Sequence, residues 1–383
     1  MTIPAATDRL VSLDAFRGAT IAGMLLVNNP GSWQSVYAPL QHAPWHGWTA
    51  TDLVFPCFLW IMGVSLTLSF ARRQGQGSGA DELRRHVLRR SAIIFGLGLL
   101  LAAFPFGLLP AHHFSWATLR WPGVLQRIAL CYLAVGMIFL RTGPRGQAGW
   151  AVVLLASYWA ALAWVPVPGH GAGGLEPVGN LPGWVDAHLL AGHTWSGAPA
   201  AGFDPEGILS TLPAIATTLL GVLAGHWLRT NFTAARKAGG LLVGGVGLLA
   251  LGAVLDRWLP INKNLWTSSY TVFMAGWAMA LLAACYWLID VRGLRRWAMP
   301  FVIYGMNAIV IFVLAGLVAR TMGFIQWTAA DGARVNLKGF IYQNAFVPHA
   351  NPLNASLLFA VAFVLVHLAV GWVMWRRRWF VRI

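Results

Sequence analysis

The chain has 383 residues, of which 57% are hydrophobic and 10% are charged, whereas soluble domains carry about 25% charged residues. This composition excludes a water-soluble globular protein and indicates a polytopic membrane protein. The net charge of +15 does not indicate nucleic-acid binding, because the basic residues lie in short segments between apolar spans rather than on one face.

About ten apolar stretches of helix length run along the chain, each long enough to cross the roughly 30 Å hydrocarbon core of a bilayer. We therefore predict an all-α polytopic membrane protein in the lipid bilayer. No internal repeat or change of composition marks a domain boundary, so residues 1–383 are expected to form a single transmembrane domain. The predicted spans are Leu10–Asn28, Thr51–Phe70, Ser91–Leu108, Gly123–Leu140, Gly149–Val165, Ile208–Leu228, Gly239–Leu255, Trp266–Ile289, Trp297–Ala319 and Pro352–Trp375.

The distribution of basic residues predicts how these spans are oriented. If they alternate in direction, 19 of the 27 Lys and Arg residues lie on one side, six lie on the other side and two lie inside spans. Basic residues concentrate on the cytoplasmic side of membrane proteins, so both termini are predicted to be cytoplasmic. The long outer loops, at about 166–207 and 320–351, are expected to be lids or binding loops, although plain connectors can be equally long.

The stretch "PLQHAPWHGWTATDLVFPCFLW" leads from a polar loop into the second span. It contains His42, Trp45 and His46, followed by Asp52 in the first turn of the span. Histidine is the side chain best suited to exchanging a proton near neutral pH, and a nearby carboxylate can orient the imidazole. Asp52 is also expected as a helix cap, because the helix dipole favours an acidic residue in the first turn.

More polar residues follow at the outer ends of later spans. Arg127 lies about one turn inside the fourth span, and a buried arginine needs a carboxylate or a polar cavity. Its candidate partners are Asp52, Asp204 and Glu206, although helix capping explains the "FDPEG" motif of the last two equally well. The segment "PINKNLWTSSY" then places four polar groups at or just inside the outer rim: Asn262, Lys263, Asn264 and Ser269.

These groups all map to the outer half of the membrane, together with Asn28 at the end of the first span. Convergent polar groups at one depth predict a single cavity. A histidine in such a cavity can act as a general base or as a transient acyl nucleophile. Amide and guanidinium groups beside it can stabilise an oxyanion.

A zinc site is the competing interpretation of the same histidines. It would combine His42 and His46 with the His112–His113 pair in the next outer segment. Pro44 lies between the first two, however, and no metal-binding motif follows them. We therefore expect no metal.

Seven motifs occur in this order along the chain: "SLDAFRG", "LLVNNPG", "HAPWHGWTATDLVFPCFLWIMG", "PGVLQRIALCY", "FDPEG", "LPINKNLWTSSY" and "YGMNAIVIF". Together they resemble the membrane acetyltransferases related to heparan-α-glucosaminide N-acetyltransferase. The resemblance implies transfer of acetyl from cytoplasmic acetyl-CoA to the amine of a glucosamine-type sugar on the far side. The family's active-site histidine, its asparagine at the end of the first span and its aspartate match His42, Asn28 and Asp52.

These matches and positions give the expected site. The catalytic residues are His42, Asn28 and Asp52, and the transfer proceeds either directly or through an acetyl-histidine. Residues expected to hold acetyl-CoA are Arg72, Arg73, Arg127, Lys263, Asn264 and Ser269. Residues expected to contact the amino-sugar acceptor are Trp45, His46, Asp204, Glu206 and Asn262.

Two other functions fit the same pattern of residues. An amino-sugar transporter or permease would also have many spans and a polar cavity, although the chain lacks the inverted repeats common in transporters. An O-acetyltransferase acting on an envelope polysaccharide could use the same base on a hydroxyl. The resemblance implies a protein of the bacterial inner membrane with its polar cluster toward the periplasm, and a homodimer is left open.

Overall fold

The apolar stretches form a helical bundle in the computed structural model, which describes residues 10–108, 115–329 and 332–381. A short antiparallel hairpin joins β1 (Gln326–Thr328) to β2 (Arg334–Asn336). The described residues contain these α-helices: α1 (Val11–Asn28), α2 (Val54–Gly75), α3 (Ala80–Ala103), α4 (Val124–Arg141), α5 (Pro144–Trp164), α6 (Leu181–Leu189), α7 (Thr211–Leu228), α8 (Ala234–Leu255), α9 (Ser268–Tyr286), α10 (Met299–Met306), α11 (Ala308–Phe324), α12 (Leu337–Ala345) and α13 (Pro352–Arg376).

The number of membrane spans differs from the ten predicted. Within the described ranges, eight helices are long and apolar enough to cross a membrane, or nine if α10 and α11 count as one broken span. The first predicted span, α1, is a helix of 18 residues but contains Asp14 and Arg17, which make it less apolar. The ninth is not straight, because its axis bends by 84° at Asn307. The protein is an integral membrane protein with fewer clear spans than predicted.

Two further differences concern the connections. Helix α3 begins at Ala80, eleven residues before the predicted span, so an arginine-rich stretch predicted as a loop is helical. Helices α6 and α12 and the hairpin lie inside the long loops for which no elements were predicted. These elements are short or polar, so the search for apolar spans does not find them.

Glycines allow some helices of the bundle to pack closely against each other. A Cβ atom on Gly63 of α2 would lie 2.0 Å from the carbonyl oxygen of Thr218, and one on Gly221 of α7 would lie 2.0 Å from that of Trp60. Helices whose interfaces carry small residues can approach closely in a membrane. The α2–α7 pair is therefore packed backbone to backbone in the centre of the molecule.

The connections that precede α2, α4, α7 and α9 meet at one end of the bundle, which we call the site end. Gly47 donates a hydrogen bond to the carbonyl of Ile261, and Arg120 reaches Asp204 across 84 residues of sequence. The opposite, arginine-rich end contains the C-terminal ends of α2, α4 and α7. The fold therefore concentrates the predicted polar residues at one end and most of the arginines at the other.

Candidate active site

His42 and Asp52 form a close polar pair at the site end. Nδ1 of His42 lies 2.6 Å from Oδ1 of Asp52. The Asp52 side chain is 1% exposed, whereas the His42 side chain is 45% exposed. A carboxylate can only accept, so Nδ1 carries the hydrogen and Nε2 presents its lone pair. His42 is thus an accessible imidazole with its tautomer set by a buried carboxylate.

Asp52 also caps the short 3₁₀ helix Ala50–Leu53 that precedes α2. Its Oδ2 accepts hydrogen bonds from the backbone N–H groups of Thr49 and Ala43, at 3.0 and 3.1 Å. Tyr270 donates its hydroxyl to the Asp52 carbonyl at 2.7 Å. The two interpretations of Asp52 in the sequence, cap and histidine partner, therefore both hold in the structure.

Lys263 is the third polar group of this cluster. Its Nζ lies 3.1 Å from Nδ1 and 3.3 Å from Nε2 of His42, and 3.8 Å from Oδ1 of Asp52. Burial lowers the pKa of Lys263 below its ordinary value, and the opposing field of Asp52 does not fully offset this effect. The sequence placed Lys263 at the rim, and the structure places it against the imidazole.

A rigid turn presents Lys263. The side-chain oxygen of Asn262 accepts the backbone N–H of Leu265 at 2.8 Å, and the backbone N–H of Asn262 donates to the Thr267 hydroxyl at 3.1 Å. Trp266 adopts φ +53°, an uncommon conformation for a bulky residue. Its indole donates to Thr217 on α7. The turn is thus fixed from both its backbone and its side chains.

Three predicted acceptor residues lie on one side of this cluster. The amide of Asn262 donates to Nδ1 of His46 at 3.3 Å, and Nε2 of His46 lies 3.7 Å from the exposed Glu176. Trp45 is buried and donates its indole N–H to the carbonyl of Leu175 at 2.8 Å. His46 and Glu176 therefore form an exposed polar rim on this side of the cluster.

Asp204 and Glu206 pair with Arg120, which corrects the predicted partnership with Arg127. Nε and Nη2 of Arg120 donate to Asp204 at 2.8 and 2.6 Å, and Nη2 also contacts Glu206 at 2.5 Å. Burial lowers the pKa of Arg120, but the two carboxylates outweigh it and raise the pKa above the ordinary value. Arg120 lies four residues before α4 and outside the predicted spans. The sequence analysis therefore counted it only among the six basic residues of the outer side.

The Asp204 carboxylate accepts hydrogen bonds from several neighbouring groups. It is 0% exposed and also accepts the backbone N–H groups of Trp195 and Glu206, both at 2.9 Å. Glu206 retains 12% side-chain exposure. Glu206 is therefore the less buried carboxylate of this motif, and Asp204 holds it by accepting its backbone N–H.

Arg127 is buried without a carboxylate in contact. Its Nη2 donates to the Gly207 carbonyl at 3.1 Å and to Ser210, and the guanidinium lies 5.1 Å from the centre of the Trp266 ring. Its Nε and Nη1 atoms have no hydrogen-bond partner among the described residues. Together with Arg120, it balances the two charges of Asp204 and Glu206. Two buried donors remain available to a ligand.

A further buried carboxylate, Asp186 on α6, escaped the sequence analysis. It accepts the backbone N–H groups of Ile208 and Asp204 at 2.9 and 3.3 Å. A Cβ atom on Gly207 would lie 1.9 Å from the Asp186 carboxylate, so only glycine fits there. Burial raises the pKa of Asp186 to about 6. This contact holds the long loop onto the start of α7.

The remaining predicted site residues differ in burial and in position. Asn28 is exposed at the last turn of α1, and Asn264 is half-buried beside Lys263. The Ser269 hydroxyl is fully buried and is 3.0 Å from the Thr267 hydroxyl. A final pair, Arg72 and Arg73, lies in the last turn of α2, at the other end of the bundle.

The zinc interpretation receives no support from the part of the chain that the structure describes. That part contains no group of three or more His, Cys, Asp or Glu side chains arranged to hold a metal ion. His112 and His113, which the interpretation also requires, lie outside the described residues.

Comparisons with known proteins identify the family. The model for the catalytic region of heparan-alpha-glucosaminide N-acetyltransferase matches residues 9–249. The heparan-alpha-glucosaminide N-acetyltransferase of Mus musculus is 31% identical over 372 residues, covering 85% of this chain and 56% of that protein. The Homo sapiens protein of the same name is 30% identical over 418 residues, covering 97% and 60%.

This chain thus spans less than two thirds of the length of these relatives. The family match includes the His42–Asp52 pair and the Arg120 cluster, and it ends before Lys263. The family to which the sequence motifs pointed is confirmed. The chain belongs to the heparan-alpha-glucosaminide N-acetyltransferase family, a family of N-acetyltransferases.

Proposed function

We propose that the protein transfers acetyl from acetyl-CoA to the amine of a glucosamine-type sugar, with the two substrates approaching from opposite sides of the membrane. The observation that carries the proposal is the 2.6 Å contact between the accessible His42 and the buried Asp52. The name shared by the family model and both relatives supports N-acetyl transfer.

His42 is the proposed general base. An amine attacks a thioester only when it is unprotonated, so the site must remove a proton from the acceptor. Nε2 of His42 accepts that proton, and Asp52 stabilises the resulting imidazolium. The carbon–nitrogen bond forms as the carbon–sulfur bond breaks, which yields the N-acetyl sugar and CoA. A route through acetyl-His42 would use the same nitrogen as the nucleophile.

Acetyl-CoA is proposed to reach this base from the arginine-rich end. About twenty helical residues separate Asp52 from Arg72, which corresponds to about 30 Å along α2. The long, thin pantetheine arm suits that path, with the nucleotide phosphates near Arg72 and Arg73. The unpartnered donors of Arg127 are proposed to contact the donor near the site end, as are Asn264 and Ser269.

The acceptor is proposed to enter from the site end. His46 and Asn262 contact each other beside Trp45 and are proposed to bind the sugar, and Glu206 is proposed to offer it a carboxylate. Asn28 is proposed to orient the reacting groups from the end of α1. The bias of basic residues supports a periplasmic site end and cytoplasmic arginine-rich end in a bacterial inner membrane.

The test is acetyl transfer by purified protein with radiolabelled acetyl-CoA and a panel of amino sugars. We expect N-acetylated glucosamine from the wild type and a loss of about 10²–10⁴ in rate for His42→Ala, the range typical of a general base. His188→Ala is the matched control, since His188 is exposed and its ring contacts Trp184 in its own helix. It should retain the wild-type rate.

Mass spectrometry of the product distinguishes the remaining alternatives. An O-acetylated polysaccharide would contradict the proposed acceptor, and full activity in His42→Ala would contradict the proposed base. Movement of labelled sugar across a membrane without acetyl-CoA would contradict the enzyme and favour a transporter.

A further inference from the structure

We propose that Lys263 is the general acid of the reaction and delivers the proton that the departing CoA sulfur requires. This inference rests on the proposed acetyl transfer and adds a residue to it. It starts from the position of the Lys263 ammonium, 3.1 and 3.3 Å from the two ring nitrogens of His42.

The charges around the pair permit one cation at a time. Among the described residues, Asp52 is the one carboxylate in contact with both side chains, 2.6 Å from His42 and 3.8 Å from Lys263. Glu206 also acts on Lys263 from the segment before α7, but it is held by Arg120. Protonated His42 and protonated Lys263 in contact would repel each other. Proton uptake by one therefore favours proton release by the other.

This coupling provides a route for the proton of the acceptor amine. His42 takes that proton as the amine attacks the acetyl carbonyl. Lys263 then releases its own proton to the sulfur as the carbon–sulfur bond breaks, which gives CoA as a neutral thiol. His42 returns its proton to Lys263, 3.3 Å from Nε2, and the site is reset. One proton leaves the amine and one reaches the sulfur.

The choice of lysine supports a role in proton transfer rather than charge alone. The chain has three lysines among its 27 basic residues, and arginine serves elsewhere in the site. Arginine stays protonated in proteins, whereas the pKa of a buried lysine shifts readily. Burial lowers the pKa of Lys263, which brings it closer to that of a thiol. The fixed turn that carries Lys263 keeps its amine at the imidazole.

The experiment compares three variants in the acetyl-transfer assay. Lys263→Met removes both charge and proton, Lys263→Arg keeps the charge, and Lys338→Met is the control. Lys338 is also a lysine whose pKa is lowered by burial, but it lies over the Phe359 ring. We expect both Lys263 variants to lose about 10²–10⁴ in kcat, with little change in thermal unfolding midpoint, while Lys338→Met keeps the wild-type rate.

Chemical rescue separates proton donation from charge. Lys263→Ala is assayed with added trimethylammonium, which carries one N–H, or tetramethylammonium, which has the same charge and none. We expect trimethylammonium to raise the rate of Lys263→Ala at least tenfold and tetramethylammonium to leave that rate unchanged. Full activity in Lys263→Arg, or equal rescue by both ions, would overturn the proposed acid. An inactive wild-type protein would instead refute the proposed acetyl transfer.

Discussion

At the residue scale, Asp52 combines two tasks that the sequence could not separate. One carboxylate oxygen contacts His42, and the other accepts the backbone N–H of Thr49, which caps the 3₁₀ helix, and that of Ala43, which is adjacent to His42. Because the cap fixes the carboxylate, the carboxylate can fix the imidazole. The His42 imidazole is therefore positioned by the same carboxylate that caps the 3₁₀ turn before α2.

Asp52→Asn tests this double role. The amide has one acceptor oxygen in place of two and carries no charge, so it can keep the cap or orient His42, but it cannot stabilise the imidazolium. We expect the acetyl-transfer rate to fall by about 10²–10⁴. We also expect the free energy of unfolding to fall by about 1 kcal/mol, the usual cost of a lost cap.

The matched control for that variant is Thr49→Ala. The Thr49 hydroxyl bonds the Gln41 carbonyl and Asp52 but not His42. Thr49→Ala should lower the free energy of unfolding by a similar amount and leave the acetyl-transfer rate within a few-fold of wild type. Equal losses of rate in both variants would mean that Asp52 acts only as a cap.

Asp186 provides a prediction for pH. Its folded-state pKa of about 6 lies above the ordinary value of 3.8, so the folded protein holds the proton more tightly than the unfolded chain. The contribution of this group to stability is therefore greatest below pH 4 and is lost as the pH rises through 6. The loss is on the order of 2–3 kcal/mol.

Asp186→Asn removes the titration and keeps one hydrogen-bonding oxygen. The difference in unfolding midpoint between variant and wild type, measured from pH 4.5 to 7.5, should shift in favour of the variant as the pH rises. A difference that is constant across this range would contradict a titrating Asp186.

At the element scale, the helices were easier to predict than their connections. Long apolar stretches identify α2, α4, α7 and α13 to within a few residues, because burial in lipid requires continuous apolar sequence. The break at Asn307 is hidden, since apolar residues continue on both sides of it. Its side chain instead bonds the backbone of Trp379 and Val381, about seventy residues later.

The sequence likewise predicts where the site residues lie better than it predicts which of them contact each other. The sequence places His42, Asp52 and Lys263 at one end of the bundle, because alternating spans return to the same side. It does not reveal that Lys263 contacts His42, 221 residues away, or that Arg120 rather than Arg127 pairs with Glu206. Such pairs depend on how helices rotate and pack, which local sequence patterns do not record.

The α2–α7 interface offers a prediction for packing. Gly221→Ala would place a methyl group 2.0 Å from the carbonyl oxygen of Trp60, so the helices must separate. We expect a loss of about 1–3 kcal/mol in unfolding free energy, as for other overpacked cores. Thermal unfolding in detergent measures it.

Gly247→Ala is the control for this variant. Gly247 is an exposed residue of α8, and a Cβ there meets no atom within 4 Å. Alanine should be neutral or stabilising by up to about 1 kcal/mol, since it favours the helix. If the two variants had equal stability, close packing of α2 on α7 would be ruled out as a source of stability.

At the scale of the whole molecule, the proposed function depends on the separation of the two ends. His42, Asp52 and Lys263 lie at the site end, while Arg72 and Arg73, the arginines proposed to bind phosphate, lie about 30 Å away along α2. A bundle arranged in this way can bring a donor from one side to an acceptor on the other. Neither substrate needs to cross the membrane completely.

The most direct test of this account uses sealed proteoliposomes in which the protein has one orientation. Radiolabelled acetyl-CoA is supplied on the side of the arginine-rich end, and glucosamine is supplied on the side of the site end. We predict labelled N-acetylglucosamine on the glucosamine side with wild-type protein and a rate about 10²–10⁴ lower with His42→Ala. Product on the acetyl-CoA side, or undiminished transfer by His42→Ala, would contradict the account.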